Sequence, residues 1–311
     1  MRISEPTLQN RQRRRWLKFA AAGFGAACLS PGRLFAQQQP ALPPTTQDME
    51  EQFATEYLGD LEHEDDLRAD RLERSSEENA IRTDLILIPG LLCDARLWKA
   101  QTADLAASTR SHVSDLATYD SIPAMADAVL DQAPSTFSLA GFSLGGAVAL
   151  EIYARAPQRV QRLALLSTNA SGITPMVREH LAASISGLEA GRLDAYLADA
   201  FPRYVAPDRV HDRTLQNTFD AMAKDVGAAD GVRQMRALLN YPGFGGDLGA
   251  IRCPTTVICG REDQRIPVPI HERTARAIPG ATLHVIEDSG HFTPLEQPGA
   301  VTAAVRAWLN A

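Results

Sequence analysis

The 311-residue sequence is poor in cysteine. Of its four cysteines, Cys253 and Cys259 stand six residues apart, which is about 20 Å in an extended chain and too far for a disulfide bond. We therefore predict buried free thiols rather than a disulfide framework. The histidines and cysteines lack the spacing of zinc ligands, so we expect no metal, and no other cofactor is required by the chemistry below.

Long apolar runs and a basic surface are also lacking. The apolar stretch at residues 19–29 has eleven residues, whereas a membrane-spanning helix needs about 20, so we expect no stable membrane span. The formal net charge is −7. Residues 1–47 carry seven bases and one acid, residues 48–84 carry four and fourteen, and residues 85–311 carry twenty and twenty-three. The last balance indicates no nucleic-acid partner, and no feature specifies an oligomeric state.

The first 36 residues predict an export signal. The run RRRWLK at residues 13–18 precedes the apolar stretch and resembles a twin-arginine signal, with cleavage expected after Ala36. We therefore predict a periplasmic or secreted protein. Cys28 offers a lipoprotein site as an alternative, and a true start near Met49 would leave the protein cytoplasmic.

Composition divides the rest of the chain at about residue 84. Residues 37–47 are rich in Gln, Pro and Thr and predict a flexible spacer. The acidic residues 48–76 carry an apolar residue every four positions from Met49 to Leu61, which indicates amphipathic helices, while their charge equally suits a disordered linker. Residues 85–311 form the predicted globular domain.

Buried strands alternate with helices in that domain. Short apolar runs predict strands at residues 85–88, 137–141, 163–167, 255–259 and 282–286. Helical periodicity marks residues 123–133, 145–156, 270–277 and 298–309. This alternation predicts an α/β fold with a mostly parallel sheet and helices on both faces. Residues from about 170 to 248 show helical periodicity without a clear strand, which indicates a helical cap inserted between two strands.

Ser143 has the sequence context of a nucleophile. It follows a predicted strand and precedes a predicted helix in the pattern Gly141-x-Ser143-x-Gly145. A serine on such a sharp turn needs flanking residues without side chains, which glycine supplies. The helix start places the Leu144 N–H and the positive end of the helix dipole beside Ser143, so Leu144 is a candidate oxyanion donor. The turn after the first strand supplies a second candidate, the Leu91 N–H.

A serine nucleophile needs an imidazole base and a carboxylate that orients it. His291 follows the last predicted strand and a glycine, which places it at the carboxyl edge of the sheet. Glu262, Asp263 and Asp288 are the nearby acids. Asp263 is the best candidate because it stands three residues after Gly260, on the loop of the neighbouring strand.

Four blocks of sequence together resemble the α/β-hydrolase superfamily, from about residue 85 to residue 309. In chain order they are LILIPGLLCDARLW, AGFSLGGAVALEIYARAPQRVQRLALLSTNA, CPTTVICGREDQRIP and DSGHFTPLEQP. The resemblance implies an α/β-hydrolase fold with nucleophile Ser143, acid Asp263 and base His291. Members commonly begin with a β-hairpin before the first parallel strand. None is readable here, so we expect a sheet short by two strands, with the acidic segment as a candidate cover for that edge.

These features predict a serine hydrolase that cleaves a small or medium carboxylic ester through an acyl-enzyme intermediate. Serine at position 143 argues against haloalkane and epoxide chemistry, which use a carboxylate nucleophile. A perhydrolase, a lyase or an acyltransferase on the same fold remains an alternative, as does a non-enzymatic ligand receptor. No substrate-binding residue is identified. Six large residues of the cap could line an acyl pocket or form its core: Phe201, Tyr204, Met222, Met235, Tyr241 and Phe244.

Overall fold

The computed structural model describes residues 82–311, in which six strands form one sheet. The strands are β1 Thr83–Ile88, β2 Thr109–Val113, β3 Phe137–Phe142, β4 Val160–Leu166, β5 Thr255–Gly260 and β6 Thr282–Ile286. Every neighbouring pair is parallel, in the order β2-β1-β3-β4-β5-β6. The chain winds outward in opposite directions from β1 and β3, and parallel sheets bind ligands beyond the strand ends at such a switch point.

The five predicted strands are all present. Four of them are buried over most of their length, whereas β6 forms an edge of the sheet and is only partly buried. All six residues of β3 are buried, and so are all six of β5. The strand predicted at residues 163–167 begins three residues earlier and ends at Leu166, because Ser167 adopts a φ of 45°. β2 escaped prediction. Its sequence TRSHV alternates between buried and less buried positions at the edge of the sheet, so it lacks an apolar run.

Helices flank the sheet, as predicted. They are α1 Lys99–Asp104, α2 Ile122–Gln132, α3 Leu144–Arg155, α8 Val268–Ala277, α9 Thr293–Glu296 and α10 Pro298–Leu309. Side chains fix several starts: the Ser121 hydroxyl, for example, accepts a hydrogen bond from the Ala124 N–H at the start of α2. The predicted fold class is thereby confirmed.

The predicted cap is a set of four helices between β4 and β5. They are α4 Pro175–Glu189, α5 Leu193–Tyr204, α6 Arg213–Val226 and α7 Ala228–Asn240. Helix α4 packs along α7, and α5 contacts both α4 and α6. Proline stands at the first position of α4, where its missing N–H costs no hydrogen bond, and the Thr174 hydroxyl caps that helix.

Three predictions about the N-terminal part lie outside the described residues. They concern the export signal at 1–36, the spacer at 37–47 and the acidic segment at 48–76. The described chain begins at residue 82, directly before β1, so the missing hairpin and the cover for the sheet edge also stay predictions. Among residues 82–311, no helix combines the length and apolar character that crossing a membrane requires.

The three cysteines of the described residues are free thiols. Cys93 and Cys259 are buried, and Cys253 is partly buried. Burial raises the pKa of Cys259 to about 12, with a smaller contribution from the charge of Asp263, so this thiol stays protonated at neutral pH. Burial likewise raises the pKa of Cys93 far above its ordinary value.

Candidate active site

Ser143 sits on a strained turn between β3 and α3. Its φ of 53° and ψ of −113° lie in a region that side chains rarely adopt. A Cβ at Gly145 would overlap the carbonyl oxygens of Ile88 and Pro89, and one at Gly141 would overlap the backbone of Gly145. Glycine at these two positions therefore lets three backbone segments meet beneath the serine.

Hydrogen bonds to neighbouring strands hold the same turn. The Ser143 N–H donates to the Leu166 carbonyl at 2.9 Å, and the Thr168 hydroxyl donates to the Ser143 carbonyl at 2.8 Å. Both partners belong to β4 or the residues directly after it. The backbone of the nucleophile candidate is thus held by a carbonyl of β4 and by one hydroxyl directly after that strand.

The structure brings the three predicted side chains into one hydrogen-bonded chain. His291 Nε2 lies 3.0 Å from Ser143 Oγ, and His291 Nδ1 lies 2.8 Å from Asp263 Oδ2. The His291 ring is fully buried, and Asp263 is buried as well. With Asp263 ionised, Nδ1–H donates to the carboxylate, which leaves Nε2 to accept the serine proton.

Backbone donors keep Asp263 in its charged form. Its Oδ1 accepts hydrogen bonds from the N–H groups of Arg265 and Ile266, each at 2.9 Å. Burial opposes ionisation, but the imidazole of His291 and these donors outweigh it and lower the pKa of Asp263. A buried carboxylate that remains ionised can stabilise a positive charge on His291.

The other two acids near the site make different contacts. Glu262 Oε2 accepts a hydrogen bond from the Ser289 N–H at 2.9 Å. Asp288 occupies a turn position with a φ of 52°, and its carbonyl accepts from the Gln297 side chain. Of the three candidates, only Asp263 contacts His291.

Both predicted oxyanion donors are buried residues next to the turn that carries Ser143. Leu144 is the first residue of α3, where N–H groups have no partner within the helix. Leu91 lies in a turn after β1 that a hydrogen bond from the Cys93 N–H to the Gly90 carbonyl closes at 3.1 Å. Within residues 82–311 neither the Leu91 nor the Leu144 N–H has a hydrogen-bond partner. Buried N–H groups are rarely left unpaired, so both are available to a ligand oxygen.

Aromatic rings from the core and the cap enclose the imidazole. The Phe142 ring centroid lies 5.2 Å from that of His291, and the Tyr204 ring stands edge-on to the imidazole at 5.3 Å. Tyr204 belongs to α5, so the cap contributes directly to the surroundings of His291. The rings contribute to the full burial of His291.

The six large cap residues named above mostly form core. Phe244 is partly buried and packs against the hydrophobic core. The other five are buried within that core: Phe201, Tyr204, Met222, Met235 and Tyr241. Tyr204 is the one for which the structure gives a ring contact with His291. The core interpretation therefore fits these residues better than an acyl-pocket lining.

Sequence reasoning missed Glu296, which ties the His291 loop to the cap. Its Oε1 accepts from the Gly290 N–H at 2.9 Å and its Oε2 from the Ala206 N–H at 2.7 Å. The side chain is buried, and burial raises its pKa to about 7 although both amide donors lower it. Beside it, the Phe292 N–H donates to the Tyr204 carbonyl at 2.9 Å. No local pattern distinguishes Glu296, because it stands beside another polar residue, Gln297, in a short stretch between two prolines.

A second histidine lies beneath the acid loop. His271 of α8 is fully buried, and neither ring nitrogen has a hydrogen-bond partner within the part of the chain that the structure describes. Burial lowers its pKa to about 4, against a smaller opposing effect of the Asp263 charge. Its ring is therefore neutral at physiological pH. Among the described residues, no group of three or more His, Cys, Asp or Glu side chains could hold a metal ion.

Comparison with known proteins adds to this geometry. The family model described as "Alpha/beta hydrolase family" matches residues 85–305. Pimeloyl-[acyl-carrier protein] methyl ester esterase from Aromatoleum aromaticum is 30% identical over 239 residues, which cover 70% of this chain and 94% of that protein.

Solved structures show the same architecture. A thermophilic esterase from Thermogutta terrifontis, with malate bound, superposes with a TM-score of 0.67 at 25% identity, covering 73% of this chain and 89% of that one. An enol-lactonase from Burkholderia xenovorans LB400 also gives a TM-score of 0.67, at 21% identity, and covers 74% of this chain and 92% of its own. At 21% identity, the similarity to the enol-lactonase shows a shared fold only.

Proposed function

Because the chain belongs to the alpha/beta hydrolase family, we propose that it is a serine hydrolase that cleaves small or medium carboxylic esters through an acyl-enzyme. The observation that carries this proposal is the hydrogen-bonded chain from Ser143 through His291 to Asp263. It joins residues from three separate loops, at distances that proton transfer requires. Two relatives bear the name esterase, which supports the reaction class.

In the proposed first step, Ser143 Oγ attacks the ester carbonyl while His291 Nε2 takes the hydroxyl proton. The carbonyl oxygen gains negative charge, and the Leu91 and Leu144 N–H groups donate to it. Asp263 stabilises the imidazolium and keeps its orientation. His291 then gives the proton to the leaving alcohol, and the acyl group stays on Ser143.

The second step returns the enzyme to its resting state. Water enters in place of the alcohol, His291 Nε2 removes its proton, and the oxygen attacks the acyl carbon. The same two N–H groups hold the second oxyanion, and collapse of that intermediate returns the proton from His291 to Ser143 Oγ. The products are a carboxylic acid and an alcohol.

The charge of the cap favours a small ester over a carrier-bound one. The Aromatoleum aromaticum relative is named for an acyl-carrier-protein ester. Here residues 169–250 carry eight bases and ten acids, which gives no excess positive charge to attract an acidic carrier. We therefore place an uncharged ester of modest size ahead of a carrier-bound substrate.

Replacing Ser143 with alanine tests the nucleophile. We expect Ser143→Ala to lower kcat on p-nitrophenyl esters of graded chain length by at least about 10⁴-fold, because the acyl-enzyme can no longer form. A fluorophosphonate should label the wild type at Ser143 and leave the variant unlabelled, as intact-mass and peptide mass spectrometry can show. Ser171→Ala, at an exposed loop serine, serves as the matched control and should keep full activity.

Two outcomes would contradict the proposal. Undiminished turnover by Ser143→Ala would reject this nucleophile. A wild type that turns over no ester and takes no label, yet gains thermal stability from a bound ligand, would favour the receptor alternative.

A further inference from the structure

The turn that carries Leu91 is held by a side chain from the cap. Gln234 lies on α7 and is 1% exposed. Its Oε1 accepts a hydrogen bond from the Leu92 N–H at 2.9 Å, although the two residues are 142 positions apart in sequence. This bond is buried, and it joins the last helix of the cap to the residue directly after the proposed donor Leu91.

The bond acts on a backbone conformation that leucine adopts reluctantly. Leu92 has a φ of 55° and occupies the third position of the turn from Gly90 to Cys93. A positive φ at that position is what a type II turn requires, and glycine usually fills it. For a branched side chain such a conformation costs about 1 kcal/mol or more, so the surrounding structure must impose it.

Packing from the same helix supports the hydrogen bond. A Cβ built on Gly231 would lie 2.7 Å from Leu92 Cδ2, which shows that α7 passes very close to this leucine. Gly231 and Gln234 are one helical turn apart and so lie on the same face of α7. Helix α7 thus holds Leu92 by its backbone N–H and by its side chain together.

The surroundings of Gln234 also define the orientation of its amide. Gln234 lines a cavity of about 320 Å³ into which Asp94, Asp115, Asp225 and Asp230 also face. Its Nε2 has no hydrogen-bond partner among residues 82–311. An amide nitrogen suits a space rimmed by carboxylates, whereas the oxygen suits the Leu92 N–H, so both neighbours favour the same orientation.

We propose that Gln234 is a positioning residue for the oxyanion donors: it fixes the turn that presents the Leu91 N–H and thereby makes transition-state stabilisation depend on the cap. This inference rests on the proposed hydrolase function. The negative charge on the carbonyl oxygen develops in the transition state and the tetrahedral intermediate, not in the bound ester, so a misplaced donor lowers kcat and leaves ground-state binding unchanged. Gln234 itself lies behind the turn and acts through Leu92.

Three variants isolate the acceptor oxygen. Gln234→Met keeps the length and shape of the side chain but removes the acceptor. Gln234→Glu keeps an acceptor oxygen at the same reach, and burial beside carboxylates favours its protonated form, whose O–H replaces an amide N–H. Gln216→Met, on cap helix α6, is the matched control because, within residues 82–311, the Gln216 side chain hydrogen-bonds only to its near neighbour Arg213. Circular dichroism melting curves on all three report whether the fold is intact.

The kinetic signature separates a positioning role from a structural one. We expect Gln234→Met to lower kcat by about tenfold or more with KM within twofold of the wild type, a part of the 10²- to 10³-fold that loss of a whole donor costs. The inhibition constant of a trifluoromethyl ketone, which forms an oxyanion on Ser143, should rise by the same factor. Gln234→Glu should recover most of the kcat, and Gln216→Met should match the wild type.

Other results would overturn the inference. An unchanged kcat in Gln234→Met, or a loss that appears only in KM, would contradict it, as would a failure of Gln234→Glu to recover activity. If Gln234→Met does not fold, Gln234→Asn takes its place: it keeps the amide but shortens the side chain by one methylene, which withdraws the acceptor oxygen from the Leu92 N–H, so the same kcat loss is required of it. Ser143→Ala is measured in parallel: ester turnover that survives that change would reject the hydrolase proposal itself, whatever Gln234 does.

Discussion

The nucleophile turn and the two loops that face it are held in different ways. Ser143 is fixed by the sheet, through glycine contacts with β1 residues and a hydrogen bond to Leu166. The loop that carries Leu91 bonds to the cap through Gln234, and Glu296 of α9 joins the His291 loop to Ala206 of the cap. The His291 loop is also held from the β5 side, where Glu262 accepts from the Ser289 N–H. The proposed nucleophile is therefore held from the sheet, whereas the loops of the proposed oxyanion donor and base also bond to the cap. Changes in the cap can alter the chemistry without moving the serine.

The largest effect is expected from disrupting the packing that holds the Ser143 turn against β1. Gly145→Ala would drive a Cβ into the carbonyl oxygens of Ile88 and Pro89, which are backbone atoms that cannot move aside. We expect a loss of about 3 kcal/mol or more in unfolding free energy, with no measurable ester turnover. Urea denaturation followed by fluorescence measures the first effect, and fluorophosphonate labelling shows whether any serine remains reactive.

A glycine in open space provides the control. Gly187 lies inside α4, and a Cβ there would meet only the Arg192 guanidinium at 3.9 Å. Gly187→Ala should leave activity intact and raise the unfolding free energy by about 0.5–1 kcal/mol, because alanine favours the helix. Equal stability of the two variants would show that the turn beneath Ser143 is not as tightly packed as the structure has it.

The next test breaks the cap side at the base. Glu296→Ala removes the acceptor of both the Gly290 and the Ala206 N–H. Each buried N–H left without a partner lowers the unfolding free energy by about 1–3 kcal/mol. We expect a tenfold to hundredfold fall in kcat because His291 follows Gly290 directly, while fluorophosphonate still reacts, more slowly, with Ser143. Stopped-flow labelling and steady-state kinetics measure the two rates.

A substitution at Glu262 serves as the control, because among the described residues this acid bonds to the His291 loop but not to the cap. Glu262 accepts from the Ser289 N–H on the same loop as His291, and within residues 82–311 it forms no hydrogen bond with the cap. Glu262→Gln keeps an acceptor oxygen and should cost less than threefold in kcat. A larger loss in Glu262→Gln than in Glu296→Ala would mean that the loop is held mainly from the sheet.

Sequence reasoning located what local pattern determines. The strands were readable as apolar runs, and the turn at Ser143 was readable from glycines two residues to either side of it. It missed β2, whose residues Thr109–Val113 are polar at alternate positions because this strand forms an edge. It favoured Asp263 over Glu262 and Asp288, and the structure shows why only Asp263 turns toward His291: its other oxygen binds two amides of its own loop.

The residues that tie the cap to the site were out of reach for sequence reasoning. Gln234 meets a partner 142 positions away, and Glu296 meets Ala206 at a separation of 90. A single glutamine or glutamate in a helix has no periodic signature that distinguishes a long-range backbone acceptor from a solvated surface residue. Such contacts follow from how the cap packs, which single-chain patterns do not specify. The roles assigned to Ser143, Asp263 and His291 stay proposals that the kinetic tests address.

The smallest expected effect concerns His271, whose ring nitrogens form no hydrogen bond with the turn of Ser143 or with the cap within the described residues. Burial lowers its pKa from 6.5 to about 4. As the pH falls, the unfolded chain takes up this proton first, so the group's contribution to stability is fully present above about pH 6.5 and is lost as the pH drops toward 4. At pH 5 the loss relative to pH 8 is about 2 kcal/mol.

His271→Met should remove that acid loss. Methionine fills a similar volume without a titratable group, and no hydrogen bond of the ring nitrogens is lost within the described residues. We expect the difference in unfolding free energy between variant and wild type to shift in favour of the variant by about 2 kcal/mol from pH 8 to pH 5. Urea titrations at both pH values measure it. Because the His271 ring is neutral at pH 8 and its nitrogens form no hydrogen bond within the described residues, kcat at pH 8 should stay within threefold of the wild type. A pH-independent difference in stability would show that this ring is already hydrated or protonated in the folded protein.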